Sequence, residues 1–224
     1  MCERFALHSD ITAIRTRFRV RGDAPLRRPS WNVRARDVVP IIRAGKNGRR
    51  EMAQLQWGLS IDYHLLDSTK GPATQIPARS LKRAALLQAL FETQRCIIPA
   101  DAFYVTPAFL PKGKRAPRPW AFALDDDSVM GIAGLWVADP SGRSAGSVAM
   151  IATSPNESVV LLSETMPTIL FPEDEREWLS HATDPDAAYN IIKPFPAEMM
   201  RAWPVAPVEG DVAGDGPERL ARVA

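Results

Sequence analysis

Short apolar runs, each cut off by turn residues, constrain this chain more than any other feature. Residues 95–104 form one such run, broken only around Pro99, Ala100 and Asp101, and residues 120–124, 129–136 and 147–153 follow. Runs of this length, rich in β-branched and aromatic residues, read as strands. Residues 125–127 and 140–142 between them read as hairpin turns. Upstream, residues 12–20 alternate, 38–43 form a short apolar run, and 52–59 alternate towards Trp57; all three read as strands. Residues 166–170 read as a further strand. Helices are fewer: 81–93 behind an N-cap at Ser80, a short one at 156–162, one led by Pro172 and ending at Leu179, and one at 185–192. No repeat is visible. The pattern predicts an α+β protein with a curved, mostly antiparallel β core, barrel-like, and flanking helices. It also predicts one domain over residues 1–224, with about 208–224 as an irregular tail.

Composition narrows the function. Of 224 residues, 46% are hydrophobic and 24% charged, which excludes a disordered or low-complexity chain. No apolar run approaches the ~18 residues of a membrane span. The first residues lack the basic-then-apolar layout of a secretory signal, so a cytoplasmic protein without membrane contact is expected. Cys2 and Cys96 are too few for a disulfide framework, and His8, His64 and His181 have no metal-ligand spacing with them. Neither metal nor cofactor is expected. Charge is unevenly distributed: residues 1–120 hold 22 Lys+Arg against 9 Asp+Glu, and residues 121–224 hold 6 against 17. Arg15, Arg17, Arg19 and Arg21 alternate, and on a strand they would point to one face. Such a stripe suits a phosphate-backbone binder, although a solvated strand face would look the same.

Cys2 carries the most distinctive chemistry. Once the initiator methionine is removed, its α-amine and thiol sit on adjacent carbons. The amine can form an imine with an aldehyde, and the thiol can close onto the imine carbon to give a five-membered thiazolidine. The amine titrates near ~8 and a free thiol near ~8.5, so both have a usable basic fraction at neutral pH.

With these residues goes a series of motifs in order: Met1-Cys2-Glu3-Arg4-Phe5; Trp31-Asn32-Val33 and Val39-Pro40; Gln56-Trp57-Gly58-Leu59; Ala78-Arg79; Arg95-Cys96-Ile97-Ile98-Pro99-Ala100-Asp101 with Phe103-Tyr104. Trp120-Ala121-Phe122-Ala123, Ala133-Gly134-Leu135-Trp136, Met166-Pro167, Trp178-Leu179 and Asp215-Gly216-Pro217-Glu218 complete it. The chain resembles the SOS response-associated peptidase (SRAP) family over nearly its whole length. The resemblance implies a curved β core with a positive groove, single-stranded DNA as partner, at an abasic site or a single/double-strand junction, and Cys2 as the nucleophile that captures the opened sugar's aldehyde. It further implies Arg4 and Arg79 as phosphate contacts, with a structural salt bridge as their alternative. Trp31, Trp57 and Tyr63 read as stacking platforms or as packing residues, and Asn32 and Pro40 fall in the same matched motifs.

The chain also departs from the family pattern. Pro77 stands where the family has an asparagine, Val105 where it has a glutamate, and Ser163 where it has a histidine. Glu3, Leu81 and Thr165 replace a glycine, a glutamate and an arginine. Valine cannot move a proton and proline cannot donate a backbone hydrogen bond, so the acid–base groups implied by the family are lost while the nucleophile stays. Cys96 reads as a buried structural thiol, and Glu164 as a solvated carboxylate. Three readings remain: an abasic-site crosslinker, a non-covalent binder of single-stranded or junction DNA, and a protein-interaction adaptor.

Overall fold

The computed structural model describes residues 4–21, 28–45, 48–59, 72–107, 118–139, 141–207 and 214–223. Five strands pair in a ring: β3 (Val38–Ala44), β4 (Arg50–Trp57), β10 (Ser147–Thr153), β9 (Met130–Val137) and β6 (Arg95–Ala100). Short β5 (Gln75–Pro77), β11 (Met166–Pro167) and β12 (Ile169–Leu170) flank it. Among the described residues only the β10–β4 and β10–β5 pairings are parallel. A second sheet runs β13 (Met200–Pro204), β8 (Trp120–Leu124), β7 (Ala102–Val105), β1 (Arg4–Leu7), β2 (Ser30–Val33). The expected curved, barrel-like α+β core is therefore present.

The continuous apolar runs form the most buried strands, because β6, β7 and β10 are covered on both faces. Asp101 turns the chain from β6 in the ring to β7 in the second sheet, and it anchors that corner. Its carboxylate accepts from the His8 and Ser9 amides at 2.5 and 2.8 Å and from Ser9 Oγ at 2.5 Å. The second sheet packs Phe5, Leu7, Phe103 and Phe122 onto the main core. Its outer face carries a smaller cluster around Ala6, Tyr104 and Val205. The 3₁₀ turn Pro217–Leu220, inside the expected irregular tail, covers that cluster: Trp203 Nε1–H donates to Leu220 O at 2.8 Å.

Several elements differ from the sequence reading. Residues 12–20 are not a strand but the body of helix α1 (Ile11–Arg17) and the turn that closes it. Asp10 caps it by accepting from the Thr12 amide, and Ile14 and Phe18 bury one face. Residues 125–127 turn the chain between sheets rather than closing a hairpin, since β8 and β9 do not pair. Residues 156–162 are turns, where Asn156 Oδ1 takes the amides of Ser158 and Val159. Helix α2 (Ala85–Thr93) starts later than expected, because the 3₁₀ turn Ala78–Ser80 and the following turn occupy its proposed first residues. Helices α3 (Glu175–Leu179) and α4 (Pro185–Asn190) lie within the expected segments. No helix among the described residues is long and apolar enough to cross a membrane.

Candidate nucleic-acid interface

The strand that begins two residues after Cys2 sets the geometry. Strand β1 lies between β7 and β2, and its residues alternate: Phe5 and Leu7 enter the main core, whereas Ala6 joins the outer cluster. Arg4 Nη1–H donates to Asn32 Oδ1 on β2 at 2.7 Å, and Arg4 lies opposite Tyr104 on β7. The Tyr104 hydroxyl donates to Trp31 O at 2.7 Å. Burial pushes the Tyr104 phenol well above its usual range, so it stays a donor. The Trp31 amide donates to Asp215 Oδ1 at 2.5 Å, and its half-buried ring stacks on His8 at 5.4 Å and 13°. Strands β1 and β2 thus join Arg4 to Asn32, with Trp31 next to Asn32 on β2 and its carbonyl held by Tyr104 of β7. Trp31 is fixed through both backbone groups and its ring.

The other candidates are dispersed. Trp57 is fully buried, edge-on to Phe5 at 4.8 Å, with its indole N–H donating to Thr74 O at 3.2 Å. It is a core residue, and its ring presents no face on which a base could stack. Pro40 is also buried, paired with Gln54 in the ring, and presents no surface to a ligand. Arg79 is exposed on the turn after β5, and no hydrogen bond, ion pair or ring contact among the described residues joins it to the Arg4 cluster. Cys2 and Tyr63 lie outside the described residues.

None of the three replaced positions carries a titratable group. Val105 ends β7 beside Tyr104 and is fully buried. Pro77 and Pro167 both pair with Ala152, which draws the Pro77 and Ser163 segments to one end of β10. The buried Ser163 hydroxyl donates to Thr165 O at 2.8 Å and accepts from the Thr165 amide at 3.2 Å. Glu164 is exposed. A hollow of about 720 Å³ lies elsewhere, beside Arg50, Arg176, His181 and Asp184.

Sequence reading missed the buried charges that hold these elements. Arg95 donates to the carbonyls of Trp178, Phe91 and Ser180, while Trp178 Nε1–H donates to Cys96 O. Glu175 Oε2 accepts from Arg50 at 2.7 Å. Arg17 Nη1 is 2.7 Å from Glu175 Oε1, close enough for an ion pair but at an angle unsuited to a hydrogen bond. Burial pushes the Cys96 thiol far up, which fits its reading as a structural thiol.

The chain is 30% identical to the abasic site processing protein YoqW of Bacillus subtilis, over 98% of this chain and 99% of that one. It is 29% identical to YoaM of the same organism, over 98% and 97%. Among solved structures, a protein of Bacteroides thetaiotaomicron superposes with a TM-score of 0.81 at 16% identity, covering 100% of both chains. A phage-related protein of Bordetella bronchiseptica reaches 0.72 at 21%, covering 91% and 94%. Residues 1–212 match the family model described as SOS response associated peptidase (SRAP), and over that length the chain belongs to the SRAP family.

Proposed function

We propose that this chain is a DNA-damage protein that binds single-stranded DNA, alone or at a junction with duplex, and captures abasic sites through Cys2. The observation that carries the reading is Arg4, on the strand that follows Cys2, bonded to Asn32 on the neighbouring strand β2, which also carries Trp31. This arrangement sets a guanidinium for a phosphate and an immobilised indole for a base directly downstream of the nucleophile. Arg79 supplies a second phosphate contact. In the reaction, the α-amine of Cys2 condenses with the sugar aldehyde and releases water. The thiol sulfur then bonds to the imine carbon, and its proton passes to nitrogen. No oxidant or metal enters.

Val105, Ser163 and Pro77 favour a slower reaction, or binding without capture, because none of them exchanges a proton with substrate at neutral pH. A positioned acid or base contributes ~10²–10⁴-fold, which sets the expected deficit against a relative with all three groups. The test is a time course with single-stranded DNA carrying one abasic site, run on a denaturing gel beside Cys2→Ala. A covalent band that needs Cys2 supports capture. Retention on a native gel without that band leaves the non-covalent binder, and no retention at low salt leaves the adaptor.

A further inference from the structure

The arginines at 15, 17, 19 and 21 lose their strand reading, and the helix that replaces it sorts them. Arg17 faces the core side, towards Glu175. Thr12, Arg15, Thr16 and Arg19 stand at i, i+3, i+4 and i+7, one face of α1 and the turn after it. With Arg21 they line an open hollow of about 330 Å³. The nearby carboxylates are engaged elsewhere: Glu175 lies between Arg17 and Arg50, and Asp10 caps the helix. Among the described residues no carboxylate pairs with Arg15, Arg19 or Arg21, and Arg15 Nε is buried without a hydrogen-bond partner.

The backbone supplies an independent observation. Helix α1 ends with the Val20 amide on Arg15 O at 2.9 Å and the Arg19 amide on Thr16 O at 3.2 Å. This is the Schellman closure, whose left-handed residue is usually glycine. Here it is Arg19, at φ 53°. Among the described residues no side-chain hydrogen bond, ion pair or ring contact of Arg19 offsets the strain of that conformation.

We propose that this face of α1 is a second phosphate-binding site, for the phosphodiester backbone of DNA that extends beyond the Arg4 cluster. The inference rests on the DNA-binding reading above. Arg15 and Arg19 are spaced about 6 Å along the helix axis, so they line a track rather than converge on one ion. The end of α1 lies beside Arg50, whose Nη1–H donates to Phe18 O at 3.0 Å. Arg50 starts β4 and Trp57 ends it, roughly 23 Å apart along the strand, so the C-terminal end of α1 is remote from the Phe5–Trp57 contact.

The experiment measures single-stranded DNA affinity against salt for the parent, Arg19→Gly, Arg15→Gln/Arg19→Gly, and Arg143→Ala as a charge-matched control on a remote turn. Arg19→Gly removes the guanidinium and the strain together, so its melting temperature should hold or rise while the salt slope falls by about 0.7. The double variant should lose roughly tenfold in low-salt affinity, the scale of one or two charge-assisted contacts. Arg143→Ala should keep the parent's slope. Variants with the parent's slope and affinity overturn this inference but leave the Arg4 reading standing. A parent that does not bind DNA overturns both. A third arm follows melting temperature with added inorganic phosphate. Stabilisation that requires Arg19, with DNA binding unchanged, would make the hollow a small-anion site and refute the DNA assignment.

Discussion

Glu175 is the position where one atom change tests the packing argument most directly. Its side chain is 2% exposed and faces Arg17 and Arg50, which are 21% and 18% exposed, each at 2.7 Å. Glu175→Gln keeps the shape and removes the charge, leaving two guanidiniums against a neutral amide. Breaking a buried ion pair from one side costs about 3–5 kcal/mol. Both arginines are about a fifth exposed and can partly turn to water, so the lower end, ~3 kcal/mol, applies. For a chain of this length that corresponds to a fall in Tm of about 6–12 °C. Urea unfolding should show a lower midpoint at an unchanged slope. Removing the charges together, as Glu175→Met with Arg50→Met, should recover most of the loss, because Arg17 can swing outward and no buried charge is left unpaired. A cost below ~1 kcal/mol for Glu175→Gln, or a double variant worse than the sum of its singles, would refute the clamp.

Cys96 should be inert in the folded state, because burial holds its thiol protonated. Cys2→Ala protein should take up no iodoacetamide when native and one equivalent in denaturant, by intact mass; native labelling would contradict the burial. Asp139 should govern the acid limit of the β9–β10 turn. Bonds from Ser141, and then Ser144, hold its carboxyl at about 2, below the usual 3.8. A depressed folded value means that the stabilisation is full above ~3.8 and lost as pH falls through about 2. Amides of Ser141 and Ser144 should therefore lose exchange protection across that window in the parent, and already at neutral pH in Asp139→Asn. Equal protection in both would rule out the cap.

The strands that the sequence revealed most clearly are those covered on both faces, because their apolar content needs no knowledge of which side is inward. For β10 the expected and observed limits coincide at residues 147 and 153. Residues 12–20 misled for the opposite reason. Two periods coexist there, arginine every second residue and Ile11, Ile14 and Phe18 at helical spacing. The apolar set decides, since burial of Ile14 and Phe18 outweighs the arrangement of solvated cations. Glu175 was illegible: its two partners are 125 and 158 residues away in sequence, and nothing local distinguishes it from a solvated helical glutamate.

Two tryptophans with equal motif support ended on opposite sides, and the reason concerns the site itself. In Leu55-Gln56-Trp57 a polar residue separates two apolar ones, so Trp57 belongs on the inner face with Leu55; the alternation was in the sequence, and the structure follows it. The same rule applied to β2 would send Trp31 inward with Val33, two residues on, which is buried in the main core. It does not, because β1 and β2 are out of step there: Phe5 pairs with Val33 but Leu7 pairs with Ser30, two residues on one strand against three on the other. That extra residue is a bulge, and a bulge re-aims the side chains beyond it. Trp31 is thereby turned out of the main core and meets His8. No residue type in Ser30-Trp31-Asn32-Val33 announces the slip, which exists only once the two strands pair. The feature that turns Trp31 towards His8 is therefore a property of the register between strands, and single-strand periodicity cannot contain it.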